Sequence, residues 1–467
     1  MKVTFYGAAR TVTGSKHMLT TISGKKVLLD CGLYQNKGAD EANRHFGFNP
    51  IDIDYVILSH AHIDHSGALP ILVKQGFKGP IYCTRATYDL CRIMLADSAK
   101  IQESDIAYIN KKRERKGENP IEPLYDQDDV DDCMKLFRYK EKYGEWYTLN
   151  EEVEVLFSDA GHILGSACVS LKIRESIDKV IHLLFSGDVG RPNDLILRDP
   201  DKTPQADYII CESTYGNRLH EPRENTRNKL LEIVTDTCIK RKGKIIIPAF
   251  SLGRTQELVY TLDRMRTDGL LPDIKVYVDS PLSINATGVM RNHPECFNDN
   301  ILEYMKHDPD PFGFNNLHYI QDVEESIALN SLDEPCIIIS SSGMMEAGRI
   351  KHHIKNNIRD KRNTILIVGF VPANTLGDRL LKGEKRVRIF GEEYPVEAQI
   401  EELQAFSAHA DYTELLDWLK PQNPKKVKRF FLVHGEYDAQ QAFKEKLIAI
   451  DFKNIEIPEK GDSFDLV

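Results

Sequence analysis

The stretch Tyr55-Val56-Ile57-Leu58-Ser59-His60-Ala61-His62-Ile63-Asp64-His65 places four potential metal ligands within six residues, directly after an apolar run. The apolar run is typical of a buried β-strand, so the ligands follow the end of that strand. In an extended chain His60 and His62 project to the same side, and Asp64 and His65 lie where the chain turns. Imidazole and carboxylate together suit a cation such as zinc, and one loop could face two ions. A solvated polar loop is the alternative.

Other apolar runs also end on a potential ligand. These runs are Leu28-Leu29-Asp30, Phe157-Ser158-Asp159-Ala160-Gly161-His162 and Leu184-Phe185-Ser186-Gly187-Asp188. Each run is expected to deliver its ligand to one edge of a sheet, where open α/β sheets bind their ligands. The sequence therefore predicts that Asp30, His162 and Asp188 lie beside the first motif.

These elements, in this order, resemble the metallo-β-lactamase superfamily. The resemblance implies an α/β fold, the αββα sandwich, with a two-metal site along one edge. It also implies a first zinc ion held by His60, His62 and His162 and a second held by Asp64 and His65. Asp188 would bridge the two ions together with a water or hydroxide, and Asp30 would orient the loop.

Three later motifs make the resemblance more specific: Cys211-Glu212-Ser213-Thr214-Tyr215-Gly216, Phe406-Ser407-Ala408-His409-Ala410-Asp411 and Val433-His434-Gly435-Glu436. They look like motifs A, B and C of the β-CASP nucleases, the branch that contains the mRNA 3′-end cleavage endonuclease. By this resemblance His434 completes the second zinc site. Glu212 and His409 would form a pair in which the carboxylate raises the basicity of the imidazole and fixes its tautomer. A buried, hydrogen-bonded histidine is the alternative for His409.

The resemblance implies a zinc-dependent ribonuclease that hydrolyses phosphodiester bonds by a two-metal hydroxide mechanism. Asp64, Glu212, His409 and Asp30 are the expected catalytic residues, and the products would carry 5′-phosphate and 3′-hydroxyl ends. The histidine of motif C favours RNA, expected to be single-stranded, over DNA. Endonuclease and 5′ exonuclease modes both stay open, as does a homodimer. The alternatives are a metallo-hydrolase of a small-molecule ester, thioester or lactam, and a non-catalytic subunit.

Composition bounds the class of protein. The chain has 467 residues, enough for at least two cores, and no apolar run approaches the length of a membrane span. Because Met1 opens directly into a strand pattern, we expect no signal peptide, a cytoplasmic location and a minimal two-domain form. Nine cysteines without a C-x-x-C pair argue against a disulfide framework.

The net charge of −10 is unusual for an enzyme that binds a polyanion. Local basic stretches occur at Lys111-Lys112-Arg113-Glu114-Arg115-Lys116, Lys240-Arg241-Lys242 and Lys425-Lys426-Val427-Lys428-Arg429. Such runs are most often solvated surface. The charge pattern therefore neither requires nor excludes a nucleic acid.

The order of the motifs predicts three segments. Residues 1–210 form the first part of the metal-binding domain, 211–398 an inserted doubly wound parallel-sheet β-CASP domain, and 399–467 the C-terminal part of the metal-binding domain. The insert contains three strand-turn-helix units, which start at Ile245, Ile337 and Ile365. The active site is expected in a groove between the two domains. Helices are predicted over residues 87–112 and 128–139.

Two turns of the insert contain small residues before a helix, a pattern that exposes backbone N–H groups to an anion. Ser341, Ser342 and Gly343 form one candidate phosphate cradle, and Ser251 with Arg254 forms another. An N-cap serine and a surface arginine are the ordinary alternative. The turn Val371-Pro372-Ala373-Asn374 departs from the Gln and Gly typical of the family, which puts substrate contacts from that loop in doubt.

Overall fold

The structure is a computed structural model that describes residues 1–35, 38–176, 179–220, 226–369, 371, 375–403 and 407–466. It consists of two compact units. The first unit combines Met1–Leu219 with His409–Val467, and the second is the intervening His220–Ala408. Phe406 and most of the Val371–Asn374 turn, both singled out in the sequence, lie outside the described residues.

The strands are numbered along the chain. They are β1 (Lys2–Gly7), β2 (Lys16–Thr20), β3 (Lys26–Leu29), β4 (Tyr55–Ile57), β5 (Ile81–Thr84), β6 (Phe137–Lys140), β7 (Trp146–Thr148), β8 (Val153–Asp159), β9 (Ala167–Arg174), β10 (Val180–Phe185), β11 (Tyr208–Glu212), β12 (Ile245–Pro248), β13 (Lys275–Asp279), β14 (Leu317–Tyr319), β15 (Cys336–Ser340), β16 (Thr364–Val368), β17 (Arg386–Ile389), β18 (Glu392–Pro395), β19 (Gln399–Leu403), β20 (Arg429–Val433), β21 (Ile455–Glu456) and β22 (Ser463–Asp465).

The helices are numbered in the same way. They are α1 (Asp40–Arg44), α2 (Ile63–Ser66), α3 (Leu69–Lys74), α4 (Arg85–Glu114), α5 (Gln127–Met134), α6 (Thr226–Val234), α7 (Arg254–Thr267), α8 (Pro281–Arg291), α9 (Asp299–Tyr304), α10 (Val323–Leu329), α11 (Ile350–Asn357), α12 (Leu376–Leu381), α13 (Tyr412–Leu419) and α14 (Tyr437–Ala449).

The first unit is a sandwich of two seven-stranded sheets. Their strand orders are β22-β1-β2-β3-β4-β5-β6 and β21-β20-β11-β10-β9-β8-β7. Alternate residues of both sheets, such as Val27 and Leu29 from β3 and Val169 and Leu171 from β9, form the apolar core between them. This is the pattern expected when each strand presents every second side chain to a facing sheet.

The outer face of the second sheet packs against helices α13 and α14. Leu184, Ile209 and Leu432 of the sheet belong to one buried cluster with Leu415 and Phe443 of those helices. The predicted αββα sandwich is therefore confirmed for this unit.

The second unit is built on a six-stranded, all-parallel sheet of order β14-β13-β15-β12-β16-β19. Both faces of the sheet are covered, since successive residues of β12, Ile245, Ile246 and Ile247, are all completely buried. The three predicted strand-turn-helix units correspond to β12 with α7, β15 with α11 and β16 with α12, which confirms the inserted α/β domain. Strand β19, which the predicted boundary at 398/399 assigns to the third segment, pairs with β16 of this sheet.

One predicted helix is wrong in its second half. The helix predicted over 128–139 ends at Met134, and residues 137–140 form strand β6, which pairs in parallel with β5. The run Phe-Arg-Tyr-Lys alternates between apolar and polar residues, and sheet pairing overrides the short helical pattern before it. All nine cysteines are buried and free, as the absence of a disulfide pattern indicated.

Candidate metal centre

Three parallel neighbours, β10, β11 and β20, end at the same edge of the second sheet. Asp188 lies three residues beyond β10, Glu212 is the last residue of β11 and His434 follows β20 directly. Because parallel strands deliver their carboxyl ends to one edge, these three side chains meet there although His434 lies more than 200 residues from the other two. Their convergence is therefore a consequence of topology.

Backbone strain marks two of the site residues. Asp30 has φ 58° and His434 has φ 50°, both in the left-handed region that non-glycine residues rarely adopt. The turn at His434 is fixed by its backbone N–H, which donates to the carbonyl oxygen of Ala8 over 2.7 Å. Such conformations cost about 1–3 kcal/mol each and persist where the surrounding structure over-determines them, often at functional sites.

The first group of potential ligands consists of His60, His62, His162 and Asp188. Nδ1 of His62 lies 3.2 Å from Nε2 of His60 and 3.2 Å from Nε2 of His162. Oδ2 of Asp188 lies 3.5 Å from His60 Nε2 and 3.6 Å from His162 Nε2. The four donor atoms thus surround one small volume.

A second group consists of Asp64, His65 and His434. His65 Nε2 is 3.1 Å from His434 Nε2 and 3.3 Å from Oδ2 of Asp188. Oδ2 of Asp64 is 3.4 Å from His434 Nε2. Asp188 therefore contacts both groups, and it is only 2% exposed.

The donor geometry fits metal ions. A tetrahedral zinc site with Zn–N distances of about 2.0–2.1 Å has edges of about 3.3 Å between its donor atoms. The separations of 3.2–3.6 Å in the first group match such edges. In addition, Oδ1 of Asp188 is buried without a hydrogen-bond partner among the described residues, which a bound cation or its water would explain.

The protonation states favour ligation as well. Burial lowers the pKa of His60 far below its ordinary value and that of His62 to about 4, so both imidazoles are neutral at pH 7. Despite burial, the neighbouring imidazoles hold the pKa of Asp64 at about 2 and that of Asp188 far below its usual range. His65 is the exception: burial opposes its charge, but Asp188 and Asp30 raise its pKa well above the ordinary value. Neutral imidazoles and charged carboxylates are the forms that bind metals.

Asp30 organises the base of the site. Its completely buried carboxylate accepts hydrogen bonds from the backbone N–H and the hydroxyl of Ser59, and Nδ1 of His65 lies 2.6 Å away. Ser59 Oγ also lies 3.0 Å from Nδ1 of His60. Asp30, which was predicted to orient the loop, thus directly contacts His65, a potential ligand. Ser59 supports both Asp30 and His60, and nothing in the sequence indicated its role.

Thr214 is a second residue that the sequence did not assign. Its hydroxyl lies 3.0 Å from Nδ1 of His434 and 3.1 Å from the carbonyl oxygen of the same residue. The hydroxyl can donate only one proton, so it can accept from Nδ1–H while donating to the carbonyl. That pair of bonds fixes the tautomer in which Nε2 of His434 is the free donor atom toward the metal group.

Glu212 and His409 form a pair beside these groups. Nδ1 of His409 lies 3.2 Å from Oε2 of Glu212 and 3.9 Å from Oδ2 of Asp188. Burial alone would lower the pKa of His409, but the charges of Glu212 and Asp188 outweigh it and raise the pKa to about 9. His409 therefore carries a proton at neutral pH in this surrounding.

The position of His409 is fixed by the segment on either side of it. His409 forms a β-bridge with Gly190, and the N–H of Ala410 donates to Val189 over 2.8 Å. Asp411 then caps helix α13, with its carboxylate accepting from the N–H groups of Thr413 and Glu414. The cap and the bridge set where the chain leaves the sheet, and so where the imidazole lies.

The candidate phosphate residues all lie in the second unit. Ser341 and Ser251 both follow carboxyl ends of neighbouring parallel strands, β15 and β12, and their hydroxyls lie 2.6 and 3.4 Å from that of Ser280. Ser342 and Gly343 continue the loop of Ser341. Arg254 is 6% exposed and forms an ion pair with Glu257. Whether any of them binds phosphate stays a prediction.

Sequence comparisons match the whole architecture. Residues 18–236 match the model of the metallo-β-lactamase superfamily, 255–380 that of the β-CASP domain, and 393–458 that of the Zn-dependent metallo-hydrolase RNA specificity domain. The chain is 36% identical over 465 residues to Ribonuclease TTHA0252 of Thermus thermophilus, covering 99% of each chain. This protein belongs to the β-CASP family of the metallo-β-lactamase superfamily.

Two further relatives show the range of this family. The chain is 31% identical over 441 residues to an RNase J-like protein of Methanocaldococcus jannaschii, covering 92% of each. It is 30% identical over 455 residues to the transcription termination factor FttA of Methanosarcina mazei, covering 94% of this chain and 67% of that relative. The resemblance inferred from the motifs is thus confirmed, and the chain is a metal-dependent hydrolase of the β-CASP family.

Within the described part of the chain, no helix combines the length and the apolar character that crossing a bilayer requires.

Proposed function

We propose that this β-CASP protein is a zinc-dependent ribonuclease that hydrolyses RNA phosphodiester bonds at the site formed by the two ligand groups. The single observation that carries the proposal is the placement of Asp188 within 3.3–3.6 Å of imidazoles from both groups. A carboxylate shared in this way is the arrangement that a two-metal hydrolase needs. Similarity over nearly the full length to a protein named as a ribonuclease supports RNA as the substrate.

The proposed sites follow the two groups. His60, His62 and His162 would hold one zinc ion and Asp64, His65 and His434 the other, with Asp188 bridging them. Paired ions would lower the pKa of a shared water and neutralise negative charge that develops on the phosphorus oxygens. The donor sets fit zinc because imidazole nitrogen and carboxylate oxygen are ligands found in catalytic zinc sites.

His409 is the proposed acid of the reaction. Its Nδ1 is held by Glu212, so its Nε2 is the nitrogen that can give a proton to the departing 3′ oxygen. Glu212 fixes the ring and stabilises the charged imidazolium, while its other oxygen accepts from the N–H of Val189 over 2.6 Å. The expected products carry 5′-phosphate and 3′-hydroxyl ends.

Asp30 and Asp64 contribute through orientation. Asp30 holds Nδ1 of His65, which leaves Nε2 of that ring directed at the metal group. Asp64 would be a ligand as well as an electrostatic partner of His434. We include both residues in the catalytic machinery because their loss would disturb the charge balance around Asp188.

The substrate is proposed to be single-stranded RNA, cut in the cytoplasm by a protein that forms a homodimer or acts alone. Ser341, Ser342, Gly343, Ser251 and Arg254 are the proposed contacts for RNA phosphates. Support for them comes from the position of both loops at the carboxyl edge of a parallel sheet, where ligands commonly bind.

The test is a time course on a 5′-labelled single-stranded RNA with added zinc, beside the Asp64→Ala variant and a DNA of matched sequence. Internal fragments that are absent with Asp64→Ala would establish an RNA endonuclease, and early release of labelled mononucleotide a 5′ exonuclease. Failure to cut RNA by zinc-loaded protein, together with rapid turnover of a thioester or lactam, would replace the proposal by the small-molecule hydrolase.

A further inference from the structure

The C-terminal half of helix α4 is exposed along its length. From Ile101 onward every residue of the helix is at least partly exposed, whereas Leu90, Cys91 and Leu95 in the first half are completely buried. The helix has 30 residues, so at 1.5 Å per residue it is about 45 Å long. We call this second half, residues 101–114, the arm. Because the arm is exposed, packing in the core does not explain why the helix extends so far.

One side of the arm is occupied by the chain that returns from it. Asn110 exchanges two hydrogen bonds of 2.9 Å with the backbone N–H and carbonyl of Ile121. Arg113 donates to the carbonyl of Asn119 over 2.7 Å and forms an ion pair with Glu118. Arg113 of the basic run is thus a structural residue that holds the arm together.

The opposite side carries a different set of residues. Ile101, Tyr108, Lys112 and Arg115 follow one another at spacings of seven, four and three, and Lys111 lies three residues after Tyr108, which places these five residues on one face of a helix. We call them the arm face. Tyr108 is 61% exposed and Ile101 52% exposed, and the ammonium group of Lys112 lies 4.3 Å from the centre of the Tyr108 ring.

Asp105, three residues before Tyr108, lies beside the arm face, but the cations of this face form no ion pair in the part of the chain that the structure describes. Within the described residues, neither Lys111 nor Arg115 forms an ion pair, and the next residue, Lys116, forms none either. Cations in the last turn stabilise a helix through its dipole, and that effect accounts for part of the run. The dipole effect does not explain why an exposed tyrosine ring lies among these cations.

The charge of the arm contrasts with that of the whole protein. The stretch Lys111–Lys116 contains five cations and one glutamate in a chain of net charge −10. A local positive surface of this kind attracts a polyanion such as a nucleic acid. An aromatic ring flanked by cations is the combination with which proteins bind single-stranded nucleic acid, by stacking on a base and pairing with phosphates.

We propose that the arm face is a docking site for the single-stranded RNA substrate, at a distance from the metal groups. Tyr108 would stack on a base, and Lys111, Lys112 and Arg115 would contact phosphates. The proposal rests on the ribonuclease function proposed above and extends it by naming where a long RNA is held.

The distance between the two places sets a length requirement. Thr84 caps the start of helix α4, and its hydroxyl donates over 2.6 Å to the carbonyl of Gly165, which lies three residues after His162. Tyr108 lies 24 residues further along, a distance of about 36 Å at 1.5 Å per residue. At roughly 3.4 Å per stacked nucleotide, RNA of about ten nucleotides or more would reach from the metal groups to the arm.

The experiment measures binding and cleavage separately. Binding of a fluorescent 20-nucleotide RNA is followed by anisotropy, with every variant on the Asp64→Ala background, where we expect no cleavage. Cleavage of RNAs of increasing length is followed in the active protein. The test variants are Tyr108→Ala and Lys111→Glu/Lys112→Glu; the matched controls are Tyr108→Phe, which keeps the ring, and Lys425→Glu/Lys426→Glu, which makes the same charge change elsewhere.

We expect both test variants to weaken binding about tenfold, with the loss in kcat/KM growing with RNA length and the controls within twofold of the parent. The slope of log K against log salt should fall by about 1.4 for the double lysine variant, since two phosphate contacts are lost.

Equal losses in both double lysine variants, the test and the control, or no loss in either test variant, would overturn the proposal. So would an oligomeric state altered by Tyr108→Ala in light scattering, because the face would then be a contact between copies. A parent that neither binds nor cuts RNA would reject the ribonuclease function itself.

Discussion

The imidazole of His409 lies 3.2 Å from the carboxylate of Glu212, a residue that is completely buried. The two residues are 197 positions apart in the chain, yet each is fixed by its own sheet edge or β-bridge. His409 contacts Asp188 only at 3.9 Å, further than the imidazoles of the two ligand groups. His409 and Glu212 also form a group of potential metal ligands with Asp188 and His434, and we propose from the Glu212 contact that His409 moves a proton rather than holds zinc.

The His409→Ala variant should therefore bind zinc normally and lose cleavage. We expect a decrease in the rate of RNA cleavage of about 10²- to 10⁴-fold, the usual contribution of a positioned acid, with the zinc content per chain unchanged. Elemental analysis and single-turnover cleavage assays measure the two quantities. His62→Ala is the matched control, because it should lose zinc as well as activity. Normal cleavage by His409→Ala would remove this residue from the mechanism.

Thr214 should control zinc affinity through His434. Thr214→Val keeps the shape of the side chain but removes the hydroxyl that fixes the tautomer of His434. Loss of such a supporting contact typically lowers metal affinity 10- to 100-fold, while Thr214→Ser should stay near the parent value. Competition with a chromophoric zinc chelator measures the affinity. If Val and Ser variants bind zinc alike, the hydroxyl does not position the ligand.

We expect Asp263 to make the stability of the second unit depend on pH. It lies in α7, is 1% exposed, and accepts a hydrogen bond from the Tyr304 hydroxyl over 2.9 Å. Burial raises its pKa to about 7; the Tyr304 bond opposes this, and Asp308 and Asp310 add to it. Because the folded pKa is above the unfolded one, the protonated carboxyl is favoured by folding, and this contribution is lost as pH rises from about 4 to about 7.

The Asp263→Asn variant should remove that dependence. Relative to the parent, we expect similar stability at pH 4.5 and a free energy of unfolding higher by on the order of 2 kcal/mol at pH 8. Urea unfolding of both proteins across this pH range provides the comparison. A difference between the two proteins that stays constant with pH would show that Asp263 does not titrate in this range.

The ligand set could be predicted because each residue sits in a local pattern. His60, His62, Asp64 and His65 share one loop, and Asp188 and His434 each follow an apolar run. Sheet topology then brings these local signals to one edge, where all of these residues belong to the two groups. A ligand that directly follows a strand can be predicted from the sequence, because the apolar pattern of the strand shows where the strand ends.

The supporting contacts could not be predicted in the same way. The Thr214–His434 contact joins residues 220 positions apart, and nothing in the composition of either motif distinguishes a hydroxyl that bonds an imidazole from one that bonds water. Strand β6 was missed because a four-residue strand is decided by its neighbour β5 rather than by its own propensity. The structural role of Arg113 within the basic run 111–116 became visible only once the return segment was placed against it.

The most direct test of the two-zinc ribonuclease is a reconstitution titration. Zinc is added in steps to chelator-stripped protein, and bound zinc and the initial rate of RNA cleavage are measured on the same samples. We predict that cleavage is absent without zinc and reaches its maximum at two ions per chain, whereas Asp188→Ala binds zinc less tightly and stays inactive. Full activity of the stripped protein, or a maximum at one ion per chain, would contradict the assignment.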